Sequence, residues 1–235
     1  MAFEIKKNIL ITQSNYIPWK GYFDAINMCD VFVVYDDMQY TKRDWRNRNQ
    51  IKTVSEVKWL SIPVEVSGKY FQKINETKVA DLSWNKSHLG LLKQSYANAL
   101  HYKEVKDFIE EMYLTCNFDH LTDINLHFIK HINNFLGIKT PIRLSSEFVL
   151  HEEKTQRLVN ICSELQGTDY YSGPAARNYM DESKFSEQNI KVHYFDYSGY
   201  PEYKQLHGEF THGVSILDLI FNTGTNAPLY MKSFA

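Results

Sequence analysis

The chain opens its ordered pattern with a short unbroken apolar run, Ile9-Leu10-Ile11-Thr12, which stops at polar Gln13-Ser14-Asn15. That is the signature of a buried strand entering a loop. Pro18 follows, and Gly21 to Met28 carries the spacing of a helix. Val31-Phe32-Val33-Val34-Tyr35 is continuous, β-branched and aromatic, as in a strand covered on both faces. Strand, loop, helix, strand is a βαβ unit, so the two strands should lie parallel.

Residues 57–65 and 73–79 read as two further strands, a hairpin or an edge extension, joined through a link that holds Gly68. From about residue 85 the period becomes helical, over 85–98, 103–115 and 119–136, with Gly137 placed to stop the last. After Pro141 an α/β pattern returns. It predicts a strand at Ile142–Leu144, a helix over 153–166 ended by Gly167, a strand at 169–172, a helical piece after Pro174, a strand at Val192–Phe195 and a helix over 214–221. The expected architecture is α/β: a Rossmann-like, largely parallel sheet flanked by helices, with a central helical insertion at about 85–136. No repeat and no linker divides it, so one domain over 1–235 is expected.

Composition narrows the classes. Of 235 residues 43% are apolar and 23% charged, an ordinary globular balance. Lys plus Arg number 26 against 28 Asp plus Glu, a formal charge of −2, without the basic excess of a dedicated nucleic-acid binder. Cys29, Cys116 and Cys162 are odd in number and widely spaced, which argues for a reducing cytoplasm and against a disulfide scaffold. No apolar stretch is long enough to span a membrane, and the first thirteen residues lack the core of a signal peptide. Aromatic residues, at 14%, suit a ring-rich core or a ring-lined pocket.

The candidate chemistry sits in four segments. The first is the loop Gln13 to Tyr22, at the carboxyl end of a parallel strand, where ligands bind in such sheets. Its layout is like that of nucleotidylyltransferase folds, but Trp19-Lys20-Gly21-Tyr22 stands where His-x-Gly-His would be, so adenylyl transfer is not expected. The second runs from Asp36 to Gln50 and mixes carboxylates, arginines, amides and rings at the same sheet edge. The third is Tyr170 to Arg177, where Ser172, Gly173 and Arg177 suit a phosphate or carboxylate. The fourth is Tyr200 to Phe210 and then Ser215 to Gly224, with Gln205 and His207 as polar candidates; Asp218, inside an apolar helix, must be paired or turned outward. His88, four residues after Trp84, is placed to take a proton from an amine or hydroxyl. His127 and His131 are four apart but lack the glutamate of a zincin, and no metal site is expected.

Taken in order, these pieces resemble the WbqC-like family of bacteria over about Ile9 to Gly224. The carriers are Pro18-x-x-Gly21-Tyr22-Phe23, then Asp36-Asp37-x-Gln39-Tyr40-x-Lys42-Arg43-x-Trp45-x-Asn47-Arg48-Asn49, then Trp84 with His88. Ser172-Gly173-Pro174-x-x-Arg177, Gln205-Leu206-His207-Gly208-Glu209-Phe210 and Ser215 to Gly224 complete them. One departure is Gln13-Ser14-Asn15-Tyr16, where the family usually has Gln-Pro-Tyr-aromatic. Family members are similar to proteins encoded among genes for O-antigen, part of lipopolysaccharide, and other surface polysaccharides. A glycine transferase role has been proposed for them.

The resemblance therefore implies an aminoacyl or acyl transferase acting on a nucleotide-linked amino sugar. Arg43, Arg48 and Arg177 would hold the diphosphate. Tyr16, Tyr22, Tyr40 and Trp45 would stack on base or sugar. His88 or Asp37 would take the proton of the attacking amine. Gln13, Asp36, Gln39, Asn47, Asn49, Ser172, Gly173, Gln205 and His207 would complete the substrate contacts. No tightly bound cofactor is expected; the donor would be a carrier-protein or CoA thioester, or an acyl group activated by ATP. An acyl-carrier protein is the implied partner, with no nucleic acid. Two other readings stand beside this one: a glycosyltransferase holding a metal at Asp36-Asp37, and a non-catalytic partner of a carrier-protein assembly system.

Overall fold

The computed structural model describes residues 6–151 and 153–234. The first five residues, part of the stretch read for a leader, lie outside the described residues.

Five short strands form one parallel sheet: β1 (Asn8–Thr12), β2 (Val31–Val34), β5 (Ile142–Leu144), β6 (Asp169–Ser172) and β7 (Lys191–Tyr194). Their order is β5-β2-β1-β6-β7, with every neighbouring pair parallel. The expected α/β class and parallel sheet are present. The chain builds outward to one side from β1 through β2 to β5, then returns to add β6 and β7 on the other. The direction of winding thus reverses between β1 and β6.

Alternation within the strands divides the interior in two. Leu10, Phe32 and Val34 face a core shared with α1 (Lys20–Asn27), α4 (Leu121–Leu136) and α7 (Ile216–Thr223). Ile9, Ile11, Val31, Val33 and Tyr170 face the other, against Val159, Cys162 and Leu165 around α5 (Lys154–Glu164) and Phe185 of α6 (Glu182–Ser186). In α7, Ile216, Leu217, Leu219, Ile220 and Phe221 are all buried. Each contributes about 1.5–3 kcal/mol by leaving water. Asp218 in the same helix is paired as its position demands, accepting from Tyr96 and Tyr203 hydroxyls at 2.8 Å each. The three cysteines are buried free thiols. Among the described residues no helix is long and apolar enough to cross a membrane.

Between β2 and β5 the chain inserts α2 (Trp84–Tyr96), α3 (Tyr102–Leu114) and α4, within two residues of the expected bounds, and Gly137 ends α4 at φ 78°. Two expectations need correction here. The partner of β4 (Val57–Ser61) is not 73–79 but β3 (Arg48–Lys52), antiparallel with Asn49 opposite Leu60. β3 escaped hydropathy because one of its inward positions is an amide, Asn49, beside a lone Ile51. Residues 73–79 form only a short 3-10 turn, Ile74–Glu76, and isolated bridges. The second is at the end of α5, which stops at Glu164 and not at 166, and Gln166 takes the left-handed backbone at φ 55°. Gly167 is needed for space, since a Cβ there would run into the side chain of Ile9.

Candidate functional site

Two cavities open beside the loop that leaves β1. The larger, about 740 Å³, lies where the winding reverses, between the carboxyl ends of β1 and β6. That is the position at which open parallel sheets bind ligands. Thr12 and Gln13 line it from β1, Ser172 and Gly173 from β6, Tyr35 and Met38 from the end of β2, and Glu153 to Thr155 from the start of α5. Ala175 and Ala176 continue the wall with minimal side chains.

Gly173 has an ordinary backbone, φ −70°, and a Cβ built on it meets nothing within 4 Å. Neither backbone nor packing therefore requires glycine there, and its effect is to leave room in the cavity. The lining anion, Glu153, is tied to the protein: its carboxylate accepts from Thr155 and Gln156 N–H groups at 3.0 and 2.7 Å and from Lys184 Nζ at 2.8 Å. The Lys184 hydrogen bond, with those from the helix start, holds it at a pKa of about 2. Lys154 is the lining cation.

The smaller cavity, about 360 Å³, has walls from three distant stretches: Asn15, Pro18 and Trp19; Trp45 and Asn49; His212 and Gly213. Trp19 packs on Tyr197 and Tyr200, with ring centres 5.1 and 5.4 Å away. Its indole occupies the space where a Cβ on Gly21 would fall, so Gly21 is what lets the ring lie over the start of α1. Trp45 is 42% exposed and rests on Trp59 at 5.2 Å, which also carries the Arg48 guanidinium 4.0 Å from its ring centre.

The intervening loop is fixed residue by residue. Ser14 donates its N–H and hydroxyl to Asp36 at 2.8 and 2.6 Å. Tyr16, fully buried, joins its hydroxyl to His88 Nδ1 at 2.9 Å and Tyr113 at 2.7 Å. Ile17 sits at φ 37°, a strained value for a β-branched residue. Asn49 donates to the carbonyls of Tyr16 and Ile17, at 3.1 and 3.0 Å, and so clamps the strained turn.

Residues 13–230, nearly everything that builds both cavities, match the profile of the WbqC-like protein family. The chain belongs to that family. It is 47% identical over 226 residues to the uncharacterized protein Rv1507c of Mycobacterium tuberculosis (strain ATCC 25618 / H37Rv), covering 96% of this chain and 98% of that one. No solved structure matches it.

Of the residues singled out from sequence, the WbqC-like fold brings Gln13, Ser172 and Gly173 to the larger cavity and Trp45 and Asn49 to the smaller. Others are engaged within the protein. Tyr22 is buried, its hydroxyl on the Gln13 carbonyl at 2.9 Å. Asp36 also accepts from Thr122, at 2.7 Å, and burial raises its pKa from the ordinary carboxylate value despite these bonds. Asp37 is bonded by Ser145 and by Asn75. The two adjacent carboxylates thus serve different elements. His88 is 8% exposed and also meets the Ser61 backbone; burial holds it down to about 4, a neutral ring at pH 7.

Gln39 donates to the Tyr70 carbonyl at 2.8 Å, Asn47 to that of Ile62 at 2.8 Å, and Tyr40 is buried. Arg48 also donates to the carbonyl of exposed Arg43, and Arg177 stacks over Tyr194 at 4.7 Å. Gln205 accepts from Lys52 Nζ at 2.8 Å and from Thr211 N–H at 3.0 Å, while His207 meets the Ser95 carbonyl at 2.7 Å. Both anchor the segment that carries His212. His127 and His131 each meet a backbone carbonyl.

His212 and Lys154 lie outside every candidate segment, and Trp19 lies inside the first without a role assigned to it. His212 belongs to no local motif, and only tertiary closure brings it to Trp45. Trp19 had a signal: an aromatic two residues before a helix-start glycine marks a ring that needs that glycine's space.

Proposed function

We propose that this protein is an acyl or aminoacyl transferase that acts on a nucleotide-linked amino sugar in bacterial surface-polysaccharide synthesis, with the larger cavity as its nucleotide-sugar site. The observation that carries the reading is the placement of that cavity. It lies at the reversal of a parallel sheet, has the volume of a small-molecule site, and is rimmed by a glycine that nothing in the protein demands. Backbone approach to a diphosphate uses such a glycine, and Lys154 supplies charge beside it.

In the reaction the amine lone pair of the sugar attacks the carbonyl carbon of an acyl thioester. A C–N bond forms, the C–S bond breaks, and the leaving thiolate takes the proton that the amine sheds. No redox partner is needed. Since the amine is already a good nucleophile, holding the two reactants together supplies most of the acceleration. The donor is a carrier-protein or CoA thioester; an ATP-made acyl adenylate serves the same carbonyl chemistry. These donors and nucleotide sugars are metabolites of the cytoplasm, where this reading places the protein.

The test is calorimetric binding across UDP-, GDP-, dTDP- and CMP-linked amino sugars, CoA and ATP, followed by mass analysis of the sugar after incubation with acyl-CoA and acyl-carrier thioesters. One nucleotide sugar should bind, lose affinity in Gly173→Leu, and gain the mass of an acyl group. Absence of nucleotide-sugar binding in the folded protein overturns the reading. Binding with glycosyl transfer in place of acylation redirects it to a glycosyltransferase.

A further inference from the structure

The smaller cavity differs in chemistry from the larger. Among the described residues its lining carries no carboxylate, lysine or arginine: the polar members are the amides of Asn15 and Asn49 and the imidazole of His212. Asn49 is occupied by the loop carbonyls, and Asn15 accepts through Oδ1 from Arg46, which leaves its NH2 group as a donor. His212 is held by ring packing, with Phe210 edge-on at 4.6 Å and Tyr200 beyond. Its Nδ1 is buried and has no hydrogen-bond partner among the described residues. An atom closed to water is closed to a ligand as well, so the ring nitrogen left for a ligand is Nε2, which makes no hydrogen bond among the described residues. The rest of the wall is two indoles, a proline ring and Gly213.

A ligand matched to such a wall has flat apolar faces, a rim of hydroxyls, and no net charge. Phosphate or carboxylate would find no cation in the lining. A long acyl chain would find no use for the amide and imidazole. A sugar ring meets every condition: its C–H face lies on an indole and its edge hydroxyls pair with amide and imidazole nitrogens. We infer that the cleft between Trp19 and Trp45 is a carbohydrate site for an uncharged hexopyranose ring, with Asn15 and His212 as its hydrogen-bonding partners. The inference does not rest on the transferase reading; a neutral ring is taken here whether or not an acyl group is transferred next door.

The experiment uses the intact protein with the neutral methyl glycosides of glucose, galactose, mannose, rhamnose and N-acetylglucosamine at millimolar concentrations. Binding is read by saturation-transfer NMR and by tryptophan fluorescence, with UMP as the probe of the larger cavity. At least one glycoside should bind and change the fluorescence. Trp45→Ala, a half-exposed ring whose loss leaves the core intact, should weaken it about tenfold. His212→Phe should weaken it while keeping ring packing. UMP should not compete, and Gly173→Leu should leave glycoside binding unchanged. No glycoside binding to the folded protein overturns the inference, as does binding that persists in both Trp45→Ala and His212→Phe. Loss of UMP binding alone would count against the nucleotide site and leave this one standing.

Discussion

The loop after β1 and the turn after β6 face each other across the reversal of the sheet, and they are built on opposite principles. The first is held at almost every residue: Ser14 by Asp36, Tyr16 by His88 and Tyr113, the carbonyls of Tyr16 and Ile17 by Asn49, and Trp19 by the space above Gly21. The second, Gly173 to Ala176, has small side chains and an unstrained start, and Gly173 has open space around its Cα. Rigid positioning and open volume are two ways to make a binding wall. The first draws on the whole core; the second costs the fold almost nothing. Substitutions should therefore harm stability on one side and binding alone on the other.

The largest effect is expected from Asp36→Ala. It leaves the Ser14 N–H, the Ser14 hydroxyl and the Thr122 hydroxyl without their acceptor in a buried place. At about 1–3 kcal/mol for each orphaned group, partly relieved by rearrangement, a loss of about 4 kcal/mol should appear as a lower urea midpoint at unchanged slope. Both cavities should lose ligand, because Gln13 and Asn15 flank Ser14.

Next is the contribution of His88 to pH dependence. Its folded pKa is about 4 against 6.5 unfolded, so the unfolded chain binds the proton more readily. Stability from this group is full above pH 6.5 and falls as pH drops from 6.5 to 4, by about 3 kcal/mol in all. The difference in unfolding free energy between the wild type and His88→Gln, followed over that window, should shrink as pH falls. A flat difference would mean that His88 does not stay neutral in the fold.

Gly21→Ala should have a smaller and more selective effect. Alanine favours the helix by up to about 1 kcal/mol, but its Cβ displaces the Trp19 indole. Glycoside binding should fall by about tenfold while nucleotide binding holds, as titrations with the two probes would show. The smallest stability change belongs to Gly173→Leu, within about 0.5 kcal/mol, together with loss of nucleotide-sugar affinity. If that variant unfolds as readily as Asp36→Ala, the contrast between the two walls is wrong.

The sheet and the helices were legible because their periods are carried by apolar residues: Ile9 to Ile11, Val31 to Val34, and the stripe from Ile216 to Phe221. β3 was not, because Asn49 occupies an inward position and a polar residue in a polar stretch looks like loop. The same ambiguity governs the site. A segment rich in Asp, Asn, Arg and Tyr signals dense hydrogen bonding, but not whether the partner is a ligand or another part of the chain. Gln13, Ser172, Gly173 and Trp45 reach the cavities, whereas Asp36, Tyr16, Tyr22 and His88 bond to one another or to backbone and hold the loop. Their pairing is between residues far apart in sequence, which local pattern does not encode.

The three-part wall of the tryptophan cleft sets an order in time. Its last pieces, His212 and Gly213, sit late in the chain, and the neighbouring Ser215 and Ile216 N–H groups seal it onto the carbonyls of Gln50 and Pro18 at 2.8 and 2.9 Å. Among the described residues the lining of the larger cavity ends at Met180. During synthesis, where folding proceeds from the amino end, a nascent chain would complete the open cavity first and hold the other ajar until its final helix docks. Glycoside-induced tryptophan fluorescence would thus serve as a clock for the closing step of folding.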